Sequence, residues 1–394
     1  MIARRLEIRE IFATNSQKTI EVELETVKGK VRASVPIGTS RGKYEVKYLP
    51  VDTVVNKFNL IRRQFTNENF KEQKDVDELI RSIDKTEDLR EIGGNLALAI
   101  SSAFLKAFSL ENEMETFEYL LTQAKSKAVM PKPVCNVAGG WKESRSDIQE
   151  FLLLPVHWSS FFESISKISQ AYLSLGKVLK QVDPTFNYGR NWESGWVTNL
   201  NFNEILKILE KIANENLLKI GIDFAATQLW DGKQYYVYRY SDKILGKLEQ
   251  LKLVQNLAKE YSINYIEDPF MEDDFISFAL LTNSLQPKLV VGDDLYATNS
   301  QRLKDGLKFK ATNAMIIKPS QVGTITDLMK TVELAKKNKI VTVMSHRSGE
   351  TEDNLIAHLA VGLGCDYVKF GISGERTIKI NEIIRIEEMI AGKI

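Results

Sequence analysis

Histidine and cysteine are scarce in this chain, with three and two among 394 residues, and no apolar run approaches the roughly 20 residues a bilayer span requires. Two cysteines, Cys135 and Cys365, cannot build a disulfide framework, and neither stands in a metal-ligand spacing. Charge of one sign is also lacking. Lys+Arg number 53 against 52 Asp+Glu, a net +1 that supports no general attraction to nucleic acid or anionic lipid. The N-terminus, "MIARRLEIRE", carries charges where a secretory signal needs an apolar core. These absences point to a soluble, cytoplasmic protein with neither nucleic acid nor membrane as partner. The length is enough for two domains with sizeable cores.

What is present falls into two grammars. Over residues 1–128, "TIEVELET" alternates Ile20, Val22 and Leu24 against polar neighbours, the period of a half-buried strand. "VRASVP" repeats the pattern with Val31, Ala33 and Val35, and "GTSRGK" (38–43) is a glycine-flanked loop. "GGNLALAISSAFLKAF" is apolar on most faces and reads as a buried helix. Strands followed by helices predict an α+β domain, an antiparallel meander plus helices. Over residues 129–394, short apolar runs instead end in a charged residue. "KIGID" ends at Asp223, "INYIE" at Glu267, "LVVGD" at Asp293, "AMIIK" at Lys318, "TVMSH" at His346 and "DYVK" at Lys369. The intervals are 44, 26, 25, 28 and 23 residues, and about 25 suits one strand, one helix and two loops. Behind Lys318, Thr324 and Asp327 form a capping-box pattern, followed by an apolar stripe of Ile325, Leu328, Val332 and Ala335. This predicts a (β/α)8-type barrel, whose strand ends gather in one mouth.

The chemistry of that mouth follows from its residue types. Asp223, Glu267 and Asp293 would repel one another unless a cation neutralised them, and an all-oxygen set favours Mg²⁺. Lys318 shares the mouth, where nearby cations and burial can lower a lysine's pKa toward that of a general base. Lys369 is a second cation, suited to a substrate carboxylate or to a structural counter-ion role. His346, Arg347 and Ser348 combine an imidazole, a planar fork and a hydroxyl, a cluster fitted to acid–base work and anion binding. His157 and His358 have no such company and read as structural.

In their order along the chain, "DIQEFLLLPV", "YIEDPF", "VVGDDLYATN", "IIKPSQVGT", "SHRSGETED" and "NEIIRIEE" resemble segments of the enolase (phosphopyruvate hydratase) family. "VPIGTSRGKYE" is similar to that family's mobile N-terminal loop, and "IGGNLALAISSAFLKAF" to its N-domain helix. The resemblance covers nearly the whole chain. It implies an α+β N-terminal domain on an enolase-type modified (β/α)8 TIM barrel. The implied activity is that of a hydro-lyase of glycolysis and gluconeogenesis, dehydrating 2-phosphoglycerate to phosphoenolpyruvate with two Mg²⁺ ions. A homo-oligomer is compatible with it. Asp223, Glu267 and Asp293 would ligate the first ion, and Ser40 the second. Lys318 would take the C2 proton, while Glu193, assisted by Glu150 with Gln149 nearby, would help the C3 hydroxyl leave. His346 would contact that hydroxyl, Arg347 and Ser348 the phosphate, and Lys369 the carboxylate end.

The pattern departs from the family at four places. "NVAGGWKESRSDIQEF" has Trp141 and Lys142 where the family carries a phosphate-binding histidine, and Lys142 is expected to replace it as a point charge. Trp192 and Trp196 flank Glu193 and would either pack or reshape the substrate pocket. "ATNSQKT" replaces an arginine-glycine turn, which weakens inference about dimer contacts, and Arg41 adds a charge beside Ser40. Two other readings therefore stand beside the first. One is a paralogue acting on a different carboxylic acid, phosphorylated or not; the other is a non-catalytic binding protein of the same fold.

Overall fold

The structure, a computed structural model, describes residues 1–39, 41–124, 127–140 and 146–392. Ser40, Trp141 and Lys142 lie outside the described residues. The chain opens with an antiparallel meander: β1 (Arg5–Phe12), β2 (Lys18–Glu25) and β3 (Lys30–Ser34). Leu6 faces Leu24 and Ile8 faces Val22 across β1 and β2, while Val22 faces Ala33 across β2 and β3. Ile20, Val22, Leu24 and Ala33 are fully buried on one face, as strict alternation requires. Glu23, on the other face, pairs with Arg9 at 2.9 Å and Arg32 at 2.8 Å. β1 carries a weaker alternation, with only Leu6 of its side chains buried, and so gives no clear strand period in the sequence.

Four helices follow: α1 (Val51–Ile61), α2 (Gln73–Ile83), α3 (Gly94–Glu111) and α4 (Thr116–Ala124). α3 is the all-apolar segment and is buried over most of its length, packing on β2 and β3. Its N-terminus depends on glycine. Gly93 has φ +95°, and a Cβ on Gly94 would lie 2.3 Å from Val46.

The remaining strands are β4 (Lys132–Gly139), β5 (Glu150–Pro155), β6 (Leu218–Asp223), the hairpin β7 (Tyr236–Tyr238) and β8 (Lys243–Leu245), β9 (Tyr265–Glu267), β10 (Leu289–Gly292), β11 (Ala314–Ile317), β12 (Val341–Ser345) and β13 (Tyr367–Gly371). Among the described residues, all but the hairpin close into a barrel in the order β10-β11-β12-β13-β4-β5-β6-β9. Val134, Leu152, Leu154, Tyr265, Val291, Ala314, Ile316 and Val343 fill its interior. The barrel departs from a pure (β/α)8 pattern at β5, which runs antiparallel to both β4 and β6. That reversal has a chemical consequence. Glu150, the first residue of β5, is level with Asp223, the last of β6. A strand that starts at the mouth thus delivers its first side chain where its neighbours deliver their last. Thr324 caps the helix Ile325–Lys337, accepting from the Asp327 amide at 3.2 Å. No helix among the described residues is long and apolar enough to cross a membrane.

Buried polar contacts join the two parts. Lys106 on α3 donates to both Asp353 oxygens, at 2.8 and 2.9 Å, and to the Arg32 carbonyl. Asp353 also accepts from the Ser34 and Leu355 amides. Burial pushes its carboxyl up, but Lys106 and these amides outweigh that and hold it below the usual 3.8. A depressed carboxylate stabilises the fold above its unfolded pKa, and the contribution is lost as pH falls through the folded value. Asp353→Asn, which leaves the Lys106 ammonium largely buried and without its counter-ion, is expected to destabilise the protein by about 3 kcal/mol or more at pH 7. In urea unfolding the difference from the parent protein should shrink as the pH is lowered below about 4.

Candidate active site

The strand ends converge on an open cleft of about 520 Å³, counting the space that is continuous with solvent. At its floor Lys369, in the middle of β13 and 3% exposed, places its ammonium 2.8 Å from Asp223 Oδ2 and 2.8 Å from Glu267 Oε1, with Glu150 Oε2 as a third partner. Asn136 donates to the other Glu150 oxygen at 2.9 Å, and the Tyr265 hydroxyl to the other Glu267 oxygen at 2.7 Å. Asp223 Oδ1 accepts from the Ala225 amide, and Gln149 approaches Oδ2 at 3.5 Å. One ammonium therefore knits three strands together. Across the cleft Lys318 pairs with Asp293 Oδ2, and Gln321 donates to Oδ1 at 3.0 Å.

His346, 4% exposed, follows β12 and has neither ring nitrogen hydrogen-bonded among the described residues. Its ligating nitrogen lies within 4.8 Å of carboxylate oxygens of Glu150 and Glu193. Burial, then the charges of Arg376, Lys369 and Lys318, push its pKa well below 6.5, so the imidazole is neutral at pH 7. Arg347 reaches Glu45 of the 36–45 segment at 3.0 Å. Described residues of the same stretch line the mouth: Ile37 and Gly349 exchange amide hydrogen bonds of 2.7 and 2.8 Å, and Ser348 Oγ accepts from the Thr39 amide at 2.9 Å. Farther along, Tyr44 donates to Asp273 at 2.6 Å beneath the Arg302 guanidinium. A Cβ on Gly38 would fall 1.9 Å from an Arg347 nitrogen, so any larger residue there would have to displace the guanidinium.

The site holds more anions than cations. Among its described lining residues are seven carboxyl side chains and three cationic ones, Lys318, Arg347 and Lys369. The imbalance appears in their protonation. Burial and then Asp223 raise Glu267 to about 8; burial and then Asp293 raise Asp294 to about 8. Burial raises Glu150 well above 4.5 despite Lys369, while for Glu193 burial is outweighed by the hydrogen bond from Glu150 and by Lys369 and Arg376. The pair therefore reads as one neutral acid donating to one carboxylate. A pocket of oxygen donors that must borrow protons to offset its own repulsion fits a divalent, oxygen-preferring cation.

The expected residues are largely together. Gln149, Glu150, Glu193, Asp223, Asp293, Lys318, His346, Arg347, Ser348 and Lys369 all line the cleft, with Glu267 fully buried beneath it. Three details differ from the sequence reading. Asp293 sits in a close group with Asp268 and Asp294, their oxygens within 4.8 Å of one another, whereas Asp223 and Glu267 are gathered by Lys369. Asp268 was overlooked because it stands one residue past the strand end, yet it accepts from the Asp293 and Asp294 amides at 2.9 and 2.6 Å and so sets the end of β10. Lys318 is not lowered. Burial, Arg347 and Lys369 act in that direction, but Asp293 outweighs them and keeps it an ammonium. Trp196 and Trp192 do not line the cleft. Trp196 is stacked on Tyr172 at 4.4 Å, and Trp192 is 44% exposed. His358 is bound to Glu382 at 3.0 Å in the core, and His157 is exposed.

Residues 3–120 match the family described as "Enolase, N-terminal domain", and residues 127–394 the one described as "Enolase, C-terminal TIM barrel domain". A protein named Enolase from Methanothermobacter thermautotrophicus is 35% identical over an alignment of 405 positions, covering 99% of this chain and 97% of its own. Relatives of the same name from Pyrobaculum aerophilum and Archaeoglobus fulgidus are 36% and 35% identical, covering 97% and 99% of this chain and 96% and 98% of their own.

Replacing the ammonium at the floor tests the charge balance without any substrate. Lys369→Met should lower the melting temperature in a chelating buffer by several degrees, because three buried acids lose their shared counter-ion. Scanning fluorimetry with added Mg²⁺ should recover more of that loss than it adds to the parent protein.

Proposed function

We propose, from the premise that the chain belongs to the enolase family, that it dehydrates 2-phosphoglycerate to phosphoenolpyruvate with Mg²⁺ as cofactor. The observation that carries this reading is the pairing of opposed groups across one cleft. Lys318 with Asp293 forms one wall, and Glu193 with Glu150 and His346, whose ring nitrogens have no hydrogen-bond partner among the described residues, forms the other. A β-elimination requires a base at one carbon and an acid at the next, and these walls supply both.

In this reading Arg347 and Ser348 take the phosphate, and closure of the 36–45 segment over them keeps water from the reacting carbons. Lys369 faces the substrate carboxylate. Lys318 accepts the C2 proton, for which its amine must be neutral; Asp293 now holds it charged, so Lys318 becomes a base only when Asp293 takes another partner. Asp223, Glu267 and Asp293 would hold one Mg²⁺ and Ser40 would contribute to a second. Bound there, the cations would offset the second negative charge that builds on the substrate carboxylate as the proton leaves. On the other wall, the neutral acid of the Glu150–Glu193 pair delivers its proton to the departing hydroxyl, and His346, with a free nitrogen, orients that hydroxyl. Gln149 and Asn136 hold the acid pair's surroundings in place. Lys142 supplies a positive charge to the phosphate in place of a histidine. A cytoplasmic location belongs to the same reading.

Purified protein given 2-phosphoglycerate and Mg²⁺ should form phosphoenolpyruvate, followed by its ultraviolet absorbance, and a chelator should stop it. Lys318→Ala should lower kcat by about 10²–10⁴-fold, the range of a lost general base. Turnover that survives in Lys318→Ala, or its absence in the parent protein with Mg²⁺ present, would remove this reading. Lys142→Ala should raise KM and leave kcat largely intact, and an unchanged KM would remove the charge assigned to it.

A further inference from the structure

Arg376 was not singled out by its sequence pattern, yet it is 1% exposed and among the largest fully buried side chains. It stands at the junction of the turn Gly374–Arg376 and the helix Thr377–Ile390. Among the described residues its guanidinium forms no ion pair with a carboxylate. It donates instead to three backbone carbonyls: Arg347 at 2.9 Å, Ser348 at 2.5 Å, and Trp192. Two of these belong to the anion-binding loop after β12, and the third precedes Glu193 in a loop more than 150 positions away in sequence. A buried guanidinium has a rigid planar fork, and here the fork spans the gap between the two loops.

The surroundings fit that bridging geometry. The Glu193 loop docks on the end of β13: a Cβ on Gly371 would meet the Glu193 carbonyl at 2.1 Å and Arg376 Cγ at 3.0 Å, so glycine there allows loop and arginine stem to approach together. Asn191 Oδ1 caps the Glu193 and Gly195 amides at 3.0 and 2.9 Å, which makes the loop internally rigid. Ser194 Oγ reaches the Ser373 carbonyl at 2.7 Å. Arg376 is the tether that joins this rigid loop to the loop after β12, beside the Ser194 contact that holds it to residue 373.

We infer that Arg376 is a positioning residue that locks the acid loop carrying Glu193 to the anion-binding loop carrying His346, Arg347 and Ser348, so that both are set by one side chain. The inference rests on the reaction proposed above for its kinetic consequence, but not for its structural one. A 1 Å misplacement of reacting groups can cost about 10²-fold in rate. Lysine cannot replace the fork, because a single ammonium cannot reach three carbonyls spread over two loops in one plane.

The test uses Arg376→Lys and Arg376→Ala, each first shown to be folded by circular dichroism. Hydrogen exchange measured by mass spectrometry reads the loops with no substrate present. Peptides covering 191–196 and 347–350 should exchange faster together, by about tenfold or more, while those covering β1–β3 stay as in the parent protein. With 2-phosphoglycerate, kcat should fall about 10–100-fold and KM should rise. A variant that merely loses folded molecules lowers apparent kcat with KM unchanged. Faster exchange in only one loop or in neither, or an unchanged KM, overturns the inference. If the parent protein does not turn over 2-phosphoglycerate, the reaction assigned above fails and the exchange result alone decides the role of Arg376. If neither variant folds, Gly371→Ala, which displaces the Glu193 carbonyl and crowds the arginine stem while keeping the guanidinium, is measured instead. Loosening of both loops sustains the coupling, and loosening of 191–196 alone overturns it.

Discussion

One ammonium under three carboxyl groups sets the terms for the rest of this structure. Lys369 ties Glu150 of β5, Asp223 of β6 and Glu267 of β9 into a cluster that could not be buried without it. Each of these acids sits where its strand meets the mouth, so the electrostatics of the site and the closure of the barrel are the same interaction. Even with Lys369 in place the acids outnumber the cations, and some of them retain protons near neutrality. A site in that condition is prepared to exchange protons for a more concentrated positive charge.

The two walls of the cleft are built differently. On the Lys318 side the strand ends themselves carry the charged groups, fixed by hydrogen bonds from Gln321 to Asp293, from the Lys318 amide to the Thr298 hydroxyl and from the Asp293 amide to Asp268. The Glu193 side is made of loops, which owe their position to Arg376, Asn191 and the glycine at 371. Rigid strands hold Glu150, Asp223, Glu267 and Lys369, while loops hold Glu193 and Arg347. Ile37 and Glu45 of the first domain reach the loop after β12, through backbone pairing at Gly349 and an ion pair from Glu45 to Arg347. The cleft is thus lined from both domains.

Much of this was legible in the linear order of residues. The interval of about 25 residues between charged strand ends marked the barrel, and the motifs around Glu267, Asp293, Lys318 and His346 carried the family resemblance. α3 was readable because an all-round apolar helix has nowhere stable to go except the interior. Other parts left no local trace. The reversal of β5 is invisible in an apolar run, which reads the same in either direction. Asp268 looks like the tail of a motif until its carboxylate is seen holding the next strand end. The state of Lys318 depends on which of several charges lies nearest, and that is a matter of ångströms.

The order of residues by itself determined the alternation of the meander, the βα repeat and the choice of oxygen, amine and imidazole groups at strand ends. These follow from periodicity and side-chain chemistry, which act over a few neighbouring positions. Tertiary structure alone decided which carboxylate each lysine holds, which acids keep a proton, and that Arg376 joins loops separated by more than 150 residues. Coulombic and desolvation energies vary steeply with distance and burial, and both are properties of the folded chain rather than of its order.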